Sequence, residues 1–419
     1  MAVDRDSRPV ERPRRRKRAS ELAILGAVAL AALLIWRETS LSGLPDVGVP
    51  FDVDAFCRPI PDETNAFVLY REAFGRLSQE PATMTRDWVK ADPVERKWLT
   101  NNRAALEIWR GGTERPDALA TSPRSLKYDS MLPAAKAMRS IAWLAELEGT
   151  RLELEGDLEG ALGWYLASLR ASRHLGRRGT VIERLIGMMM HRFACHRLTS
   201  WAANSQVTTS SLRIALDAAQ AIDALTPANS DMIKCEYLMF NNTVNDPASS
   251  DPATIVSPPP EGTGTSFGKA VFQVKRAWKT EPERSRRVFR LIVANWLAYC
   301  DLPASRRPPV AKFPATPAGP AAPDLEFYEP DATSPASARA LPPEAIERWC
   351  RTTIYAEMCL PVYGAVNAAL ARERATQARL VIALANKLHE RERGKPPETF
   401  EELVGPYLKA LPEGYAIAK

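Results

Sequence analysis

The strongest hydrophobic signal along the chain is an uncharged apolar run, Leu22 to Trp36, close to the N-terminus. As a helix it spans roughly 22 Å against about 30 Å of bilayer hydrocarbon. Glu21 can reach the interface with its carboxylate, and Trp36 suits an interfacial position. The same length fits the apolar region of a cleavable signal peptide, but Ser40-Leu41-Ser42 is a poor cleavage site. A buried helix is a third reading. An uncleaved anchor over residues 20–37 is the expectation carried forward.

Beyond the anchor the pattern is helical almost throughout. Residues 38–60 are punctuated by Gly43, Pro45, Gly48, Pro50 and Pro59 and are expected to form a tether. Asp62 to Asn65 supplies a capping cluster ahead of Ala66, Phe67, Leu69, Tyr70 and Phe74, which share one helix face. A second helix is expected from Pro93 to Trp109, stopping at Gly111-Gly112. The clearest hairpin comprises residues 131–155 and 157–176, broken at Gly156-Asp157. Further helices follow from Val181 to Ala203, from the Thr208-Thr209-Ser210 cap to about Leu225, and from Pro227 onward. Two proline-rich stretches, 244–266 and 302–343, are too poor in apolar residues to offset ordering entropy and are expected to be irregular. Between them lies a basic helix pair at 267–279 and 282–300. Residues 344–356, 360–393 and 400–405 complete the pattern. No sustained period-two alternation occurs, so the expected fold is mostly α. It is a single-pass helix followed by an irregular body of αα-hairpins over 61–301, a Pro/Ala-rich linker over 302–343, and a C-terminal helical segment, 344–419, packed on that body.

Charge sets an orientation. Residues 1–19 hold eight Lys/Arg and three acids, whereas Arg37 on the other flank sits beside Glu38. The positive-inside rule leaves this tail in the cytoplasm and the body outside, on the far face of the cytoplasmic membrane. The whole chain is +6, and removing the tail's net +5 leaves the body at +1. A nearly neutral body has no electrostatic footprint for nucleic acid. The anticipated partners are therefore the lipid bilayer, through residues 20–37, and an envelope protein. Six cysteines (Cys57, Cys195, Cys235, Cys300, Cys350 and Cys359) would be permitted to pair outside the cytosol, and their spacing does not choose a pairing. Buried free thiols are the simpler reading.

Two local resemblances stand out. Gly149, Leu152, Gly156-Asp157, Ala161, Tyr165 and Ser168 resemble one tetratricopeptide repeat, with small residues where helices touch and aromatics filling the groove. The resemblance implies a scaffold that binds peptides or proteins. The stretch from Arg374 through Gly394-Lys395-Pro396-Pro397-Glu398-Thr399-Phe400 to Tyr415 resembles a segment of uncharacterised bacterial membrane-anchored proteins. It is distantly similar to the variable region of type II secretion pseudopilins. The pseudopilin cleavage motif is missing, and the apolar run lies far upstream. Locally, Gly394 should end a long helix in a left-handed turn, and Thr399 with Glu402 should form a capping box.

Candidate chemistry is sparse. His191 and Cys195 share a helix face, but the adjacent Met188-Met189-Met190 marks a buried helix, and a structural role is expected. His196 points elsewhere, and His174 and His389 sit near helix C-termini. The acidic run Glu146, Glu148, Glu153, Glu155 and Glu159 reads as a solvated face with a Glu148–Arg151 pair. The basic run Lys275-Arg276 through Arg284, Arg286, Arg287 and Arg290 could face a membrane or an acidic partner, or be an exposed helix face. No phosphate loop, nucleophile elbow or zinc-protease motif occurs, and no cofactor is implied. Trp143, Trp164 and Tyr165 are the candidate contact surface. The expected role is protein interaction or scaffolding at the cell envelope. A hydrolase built from distant residues and a structural component of secretion machinery are the alternatives.

Overall fold

Capping side chains mark where the helices of the body begin, as the sequence anticipates. The computed structural model describes residues 12–41, 43–128, 130, 132–245, 281–311, 327–329, 345, 346, 348, 349 and 363–412. Helices account for most of these. They are α1 (Arg12–Leu41), α2 (Val53–Phe56), α3 (Ala66–Gly75), α4 (Pro93–Thr113), α5 (Pro133–Leu154), α6 (Leu158–His174), α7 (Val181–Ala203), α8 (Thr209–Asp223), α9 (Asn229–Asn245), α10 (Glu281–Tyr299) and α11 (Tyr363–Arg393). Asn65, Asp92, Asp157, Thr180 and Thr208 each accept a backbone N–H of the first turn that follows. A cap of this kind satisfies a donor that has no partner inside the helix. Asp92 with Glu95 and Thr180 with Glu183 close full capping boxes.

Three apolar clusters hold the described residues together. One joins α3, α4, α5 and the inner faces of α6 and α7 around Tyr70, Trp109 and Leu144. A second joins α6, α7, α8 and α11 with Leu403, Tyr407 and Leu408. A third joins α9 and α10 around Tyr237, Phe240 and Phe289. Glycine sets the closest approaches. A Cβ on Gly149 of α5 would lie 2.4 Å from the Tyr165 ring of α6, so that turn admits no side chain. Gly112 does the same for Tyr70, at 2.6 Å. Gly112 therefore does not stop α4, as the sequence pattern suggests; the helix runs on to Thr113 because the glycine is needed for contact. Gly156 (φ +86°) and Gly394 (φ +73°) do end their helices in the left-handed region, as expected.

Other expectations need correction. The stretch anticipated as a tether is docked from Leu44 onward: Leu44, Phe56 and Cys57 are buried in the α9–α10 cluster. The basic face of α10 holds it there. Arg290 pairs with Asp46 at 2.7 Å, and Arg287 donates to the Leu44 carbonyl at 3.2 Å. These arginines are thus partnered within the chain; Lys275 and Arg276 lie outside the described residues. The proline-rich linker contains one antiparallel strand pair, β1 (Val310–Ala311) and β2 (Phe327–Tyr328), where irregular chain is expected. Asn295 of α10 makes the second strand possible, since its amide pairs with both the N–H and the carbonyl of Tyr328 at 2.9 Å. The rest of that linker, loop 246–266 and the helix expected at 267–279 lie outside the described residues. The acidic run is not simply solvated: Glu146 and Glu148 are buried, although Glu148 does make the expected pair with Arg151 at 2.7 Å. Cys57, Cys195, Cys235 and Cys300 are free and buried, and Cys350 and Cys359 lie outside the described residues.

Helix α1 differs from all others. Ile24, Leu25, Val28, Leu30, Leu34 and Ile35 are exposed, and at 100° per residue they surround the helix together with the exposed Ala29 and half-buried Leu33, rather than forming one stripe. No described segment of the body covers them. Among the described residues, no helix is long and apolar enough to cross a membrane.

Candidate functional site

Helices α7 and α11 run parallel, as three contacts in register show. Arg184 meets Glu373, His191 meets Gln377, and Arg391 donates to the Asn204 carbonyl. On their buried side they enclose a charge cluster; on their outer side they part to form a groove.

The cluster exists because α7 lies directly on the last turn of α6. A Cβ on Gly187 would lie 2.6 Å from the Leu175 carbonyl oxygen and 2.8 Å from that of Ser172. This approach shuts Arg173 and Arg184 away from water, each about 1% exposed. Both guanidinium groups converge on Glu373 of α11. Arg184 spans the carboxylate with donors at 2.5 and 3.1 Å, and Arg173 donates to the oxygen shared with the longer bond. Arg173 also reaches Asp223 of α8 at 3.3 Å. Burial alone would raise the Glu373 carboxyl, but Arg184 and Arg173 outweigh it and hold it below its ordinary range. Burial lowers Arg184, and Glu373 offsets part of that effect. A buried pair of this kind specifies which helices meet more than it stabilises, since desolvation cancels much of the attraction.

His191 is locked into the same cluster. Gln377 donates from Nε2 to the Ala219 carbonyl at 3.0 Å, which turns its oxygen toward His191 Nε2, 2.9 Å away. The Arg173 guanidinium also reaches the same Nε2, at 3.0 Å, so this nitrogen lies between an acceptor and a donor, while Nδ1 is buried without a partner. Burial, reinforced by Arg173, lowers its pKa to about 3, so it stays neutral. Cys195 Sγ lies 3.3 Å from His191 Nε2, and burial pushes the thiol well above its ordinary value. A cysteine nucleophile needs a thiolate beside an acceptor nitrogen or an imidazolium. Here burial keeps the thiol protonated and the ring neutral, and the facing nitrogen is already engaged by Gln377 and Arg173. The pair is a packing contact, consistent with the structural role expected from the sequence.

The groove encloses about 1100 Å³. Its floor is apolar, built from Met188 and Cys195 of α7 and Leu380, Ile382 and Ala383 of α11, with the buried Glu373 beneath. Phe193 and Leu185 form one wall, and Phe400, from the short turn Phe400–Leu403 after α11, stands at one end. That turn carries the expected Thr399–Glu402 capping box. The rim carries three arginines and a histidine. Arg192 and His196 lie four residues apart on α7, and Arg372 and Arg379 lie seven apart on α11, all four exposed. Among the described residues none of the three arginines pairs with a carboxylate, and the only acid lining the groove, Glu373, is already neutralised by two buried arginines.

The residues singled out from sequence lie elsewhere. Tyr165 is fully buried against Gly149 and bonds Glu153 at 2.5 Å. Trp164 is buried under the Arg110 guanidinium, 4.9 Å from its ring. Neither offers a side chain to a partner. Trp143 is half-buried beneath Arg139 at 4.9 Å, and Arg86 links it to Phe193 on the groove wall, lying 4.0 Å over that ring. The groove arginines were not singled out; the seven-residue spacing of Arg372 and Arg379 and the four-residue spacing of Arg192 and His196 were the available signal. Among the described residues no group of three or more His, Cys, Asp or Glu is placed to hold a metal ion. Comparison with protein-family models, with curated proteins and with solved structures finds no match to this chain.

Proposed function

We propose that this chain is a membrane-anchored helical binding module. In this reading α1 inserts in the cytoplasmic membrane with the N-terminal tail inside, the body lies outside, and the body holds a partner protein in the α7–α11 groove. The observation that carries the binding function is the groove itself: an apolar floor under three arginines that have no counter-ion among the described residues. Exposed apolar surface rimmed by charge marks interaction sites, and unpaired charges gain most from a complementary partner. The disarmed Cys195–His191 contact speaks against the hydrolase alternative. The anchor is supported by apolar side chains exposed around the whole of α1 and by the arginine excess on its N-terminal side. The α5–α6 hairpin is tetratricopeptide-like in this reading, supported by the Gly149–Tyr165 contact and the Asp157 cap.

A photo-reactive amino acid at Thr199, on the groove, should form a discrete protein adduct in intact cells, whereas one at Ile214, exposed on α8, should not. Equal yields at both positions, or none at Thr199, would remove the groove as a binding site. Alkaline extraction should leave the full chain in the membrane pellet and release a form lacking residues 1–41. Protease added to cells with an opened outer envelope should digest the body; digestion only after the inner membrane is breached would reverse the topology.

A further inference from the structure

We infer that the occupant of the groove is an amphipathic helix of a partner protein, with acidic residues along both edges of its apolar stripe. This rests on the binding-module reading and names the ligand class of that site. Three observations converge on it: shape, charge placement and helix direction.

The groove runs from Leu185 to Thr199 on α7, about 21 Å at 1.5 Å per residue. Its volume of about 1100 Å³ over that length gives a mean cross-section of about 50 Å², close to half that of a helix about 10–12 Å wide. A helix of some 14 residues, sunk to its midline, fits. The charges are spread along the groove rather than gathered at one end. Arg372 and Arg379 stand roughly 10 Å apart on one wall, with Arg192 on the other. A lipid presents its anionic group at one end of its apolar chains and could meet one of these positions. A helix with acids seven residues apart on one flank and an acid on the other meets all three arginines. The parallel pair α7–α11 presents this pattern as two strands of a three-helix bundle do, with flanking charges at the edges of the apolar seam. At the Phe400 end, the Asn386 Oδ1 is buried without a partner and offers an acceptor to the incoming chain.

The test uses the full chain in detergent and a fluorescein-labelled 21-residue helical peptide with leucine at the a and d positions and glutamate at e and g. Repulsion between glutamates keeps that peptide from pairing with itself. A lysine version of the peptide and vesicles of phosphatidylglycerol are the other probes. The glutamate peptide should bind at least tenfold more tightly than the lysine peptide. Arg372→Glu combined with Arg379→Glu should reverse that preference without moving the melting temperature. Equal binding of the two peptides would overturn the acidic-helix inference and leave the binding module standing. Binding of phosphatidylglycerol with no peptide binding would overturn it in favour of a lipid ligand. Failure of both peptides while the Thr199 adduct persists would likewise overturn the inference alone, whereas loss of the adduct as well would bring down the module reading with it.

Discussion

Five arginines along α6, α7 and α11 meet opposite fates within one site. Arg173 and Arg184 are sealed from water and share Glu373, whereas Arg192, Arg372 and Arg379 stand in solvent with no carboxylate among the described residues beside them. The inner pair turns its terminal guanidinium nitrogens on groups within the fold, although each Nε is left without a partner. The outer three keep theirs for something outside the chain. The difference separates architecture from recognition, because a buried charge is tolerated only when paired, while an exposed one can remain unpaired at little cost.

The sharpest way to break this contrast is at Glu373. Glu373→Ala leaves Arg184 buried without its charge partner and Arg173 with Asp223 alone, and should destabilise by about 3–5 kcal/mol in urea unfolding. Replacing the set together (Arg173→Met, Glu373→Leu, Arg184→Met) should recover most of that loss, because the desolvation cost disappears with the charges. If the single and triple variants are equally unstable, the cluster is held by shape and not by charge. Gly187→Ala comes next. Its methyl group would meet two backbone oxygens of α6, and overpacking of this kind costs about 1–3 kcal/mol.

Acidification probes the inner region alone. His191 holds a pKa of about 3 in the fold against an ordinary 6.5, so between those values the unfolded chain binds a proton that the folded chain refuses. Its contribution is complete above pH 6.5 and is lost as the pH falls toward 3, about 2 kcal/mol of it between pH 7 and 5. His174, buried against Tyr70 and also near 3, acts with the same sign. Glu146 opposes both: burial raises it from 4.5 to about 7, so it penalises the fold at neutral pH and relaxes that penalty on acidification. His191→Gln should therefore flatten the fall in stability between pH 7 and 5, and Glu146→Gln should steepen it. Opposite slopes in urea titrations at the two pH values would contradict these environments.

The smallest expected effect on stability is at the rim. Arg192→Gln, Arg372→Gln and Arg379→Gln combined should change unfolding free energy by no more than about 0.5 kcal/mol, as for surface positions generally, while weakening partner binding. A large loss of stability would mean that these side chains serve the fold after all.

Much of the scaffold was legible in the chain. Asn65, Asp157, Thr180 and Thr208 announce helix starts because a cap is a local transaction between a side chain and the next turn. Gly156 and Gly394 announce helix ends for the same reason. Gly111-Gly112 misled, since a glycine serving a distant contact with Tyr70 looks in sequence like a glycine ending a helix. The strand pair at Val310 and Tyr328 was hidden in proline-rich chain because its support, Asn295, comes from another element. The candidate surface was misplaced at Trp164 and Tyr165, since a bulky aromatic looks alike in sequence whether it fills a core or meets a partner.

By itself the sequence determined the helical class, nearly every helix boundary in the body, and the apolar, arginine-led segment at the N-terminus, all of which depend on residues within a few turns of one another. Only the tertiary structure decided that Arg173, Arg184 and Glu373 share a buried contact across some 200 residues, and that Arg192, Arg372 and Arg379 border a single groove. Charges from separate helices acquire their meaning from packing: the same guanidinium group is structural when its neighbours exclude water and available for recognition when they do not.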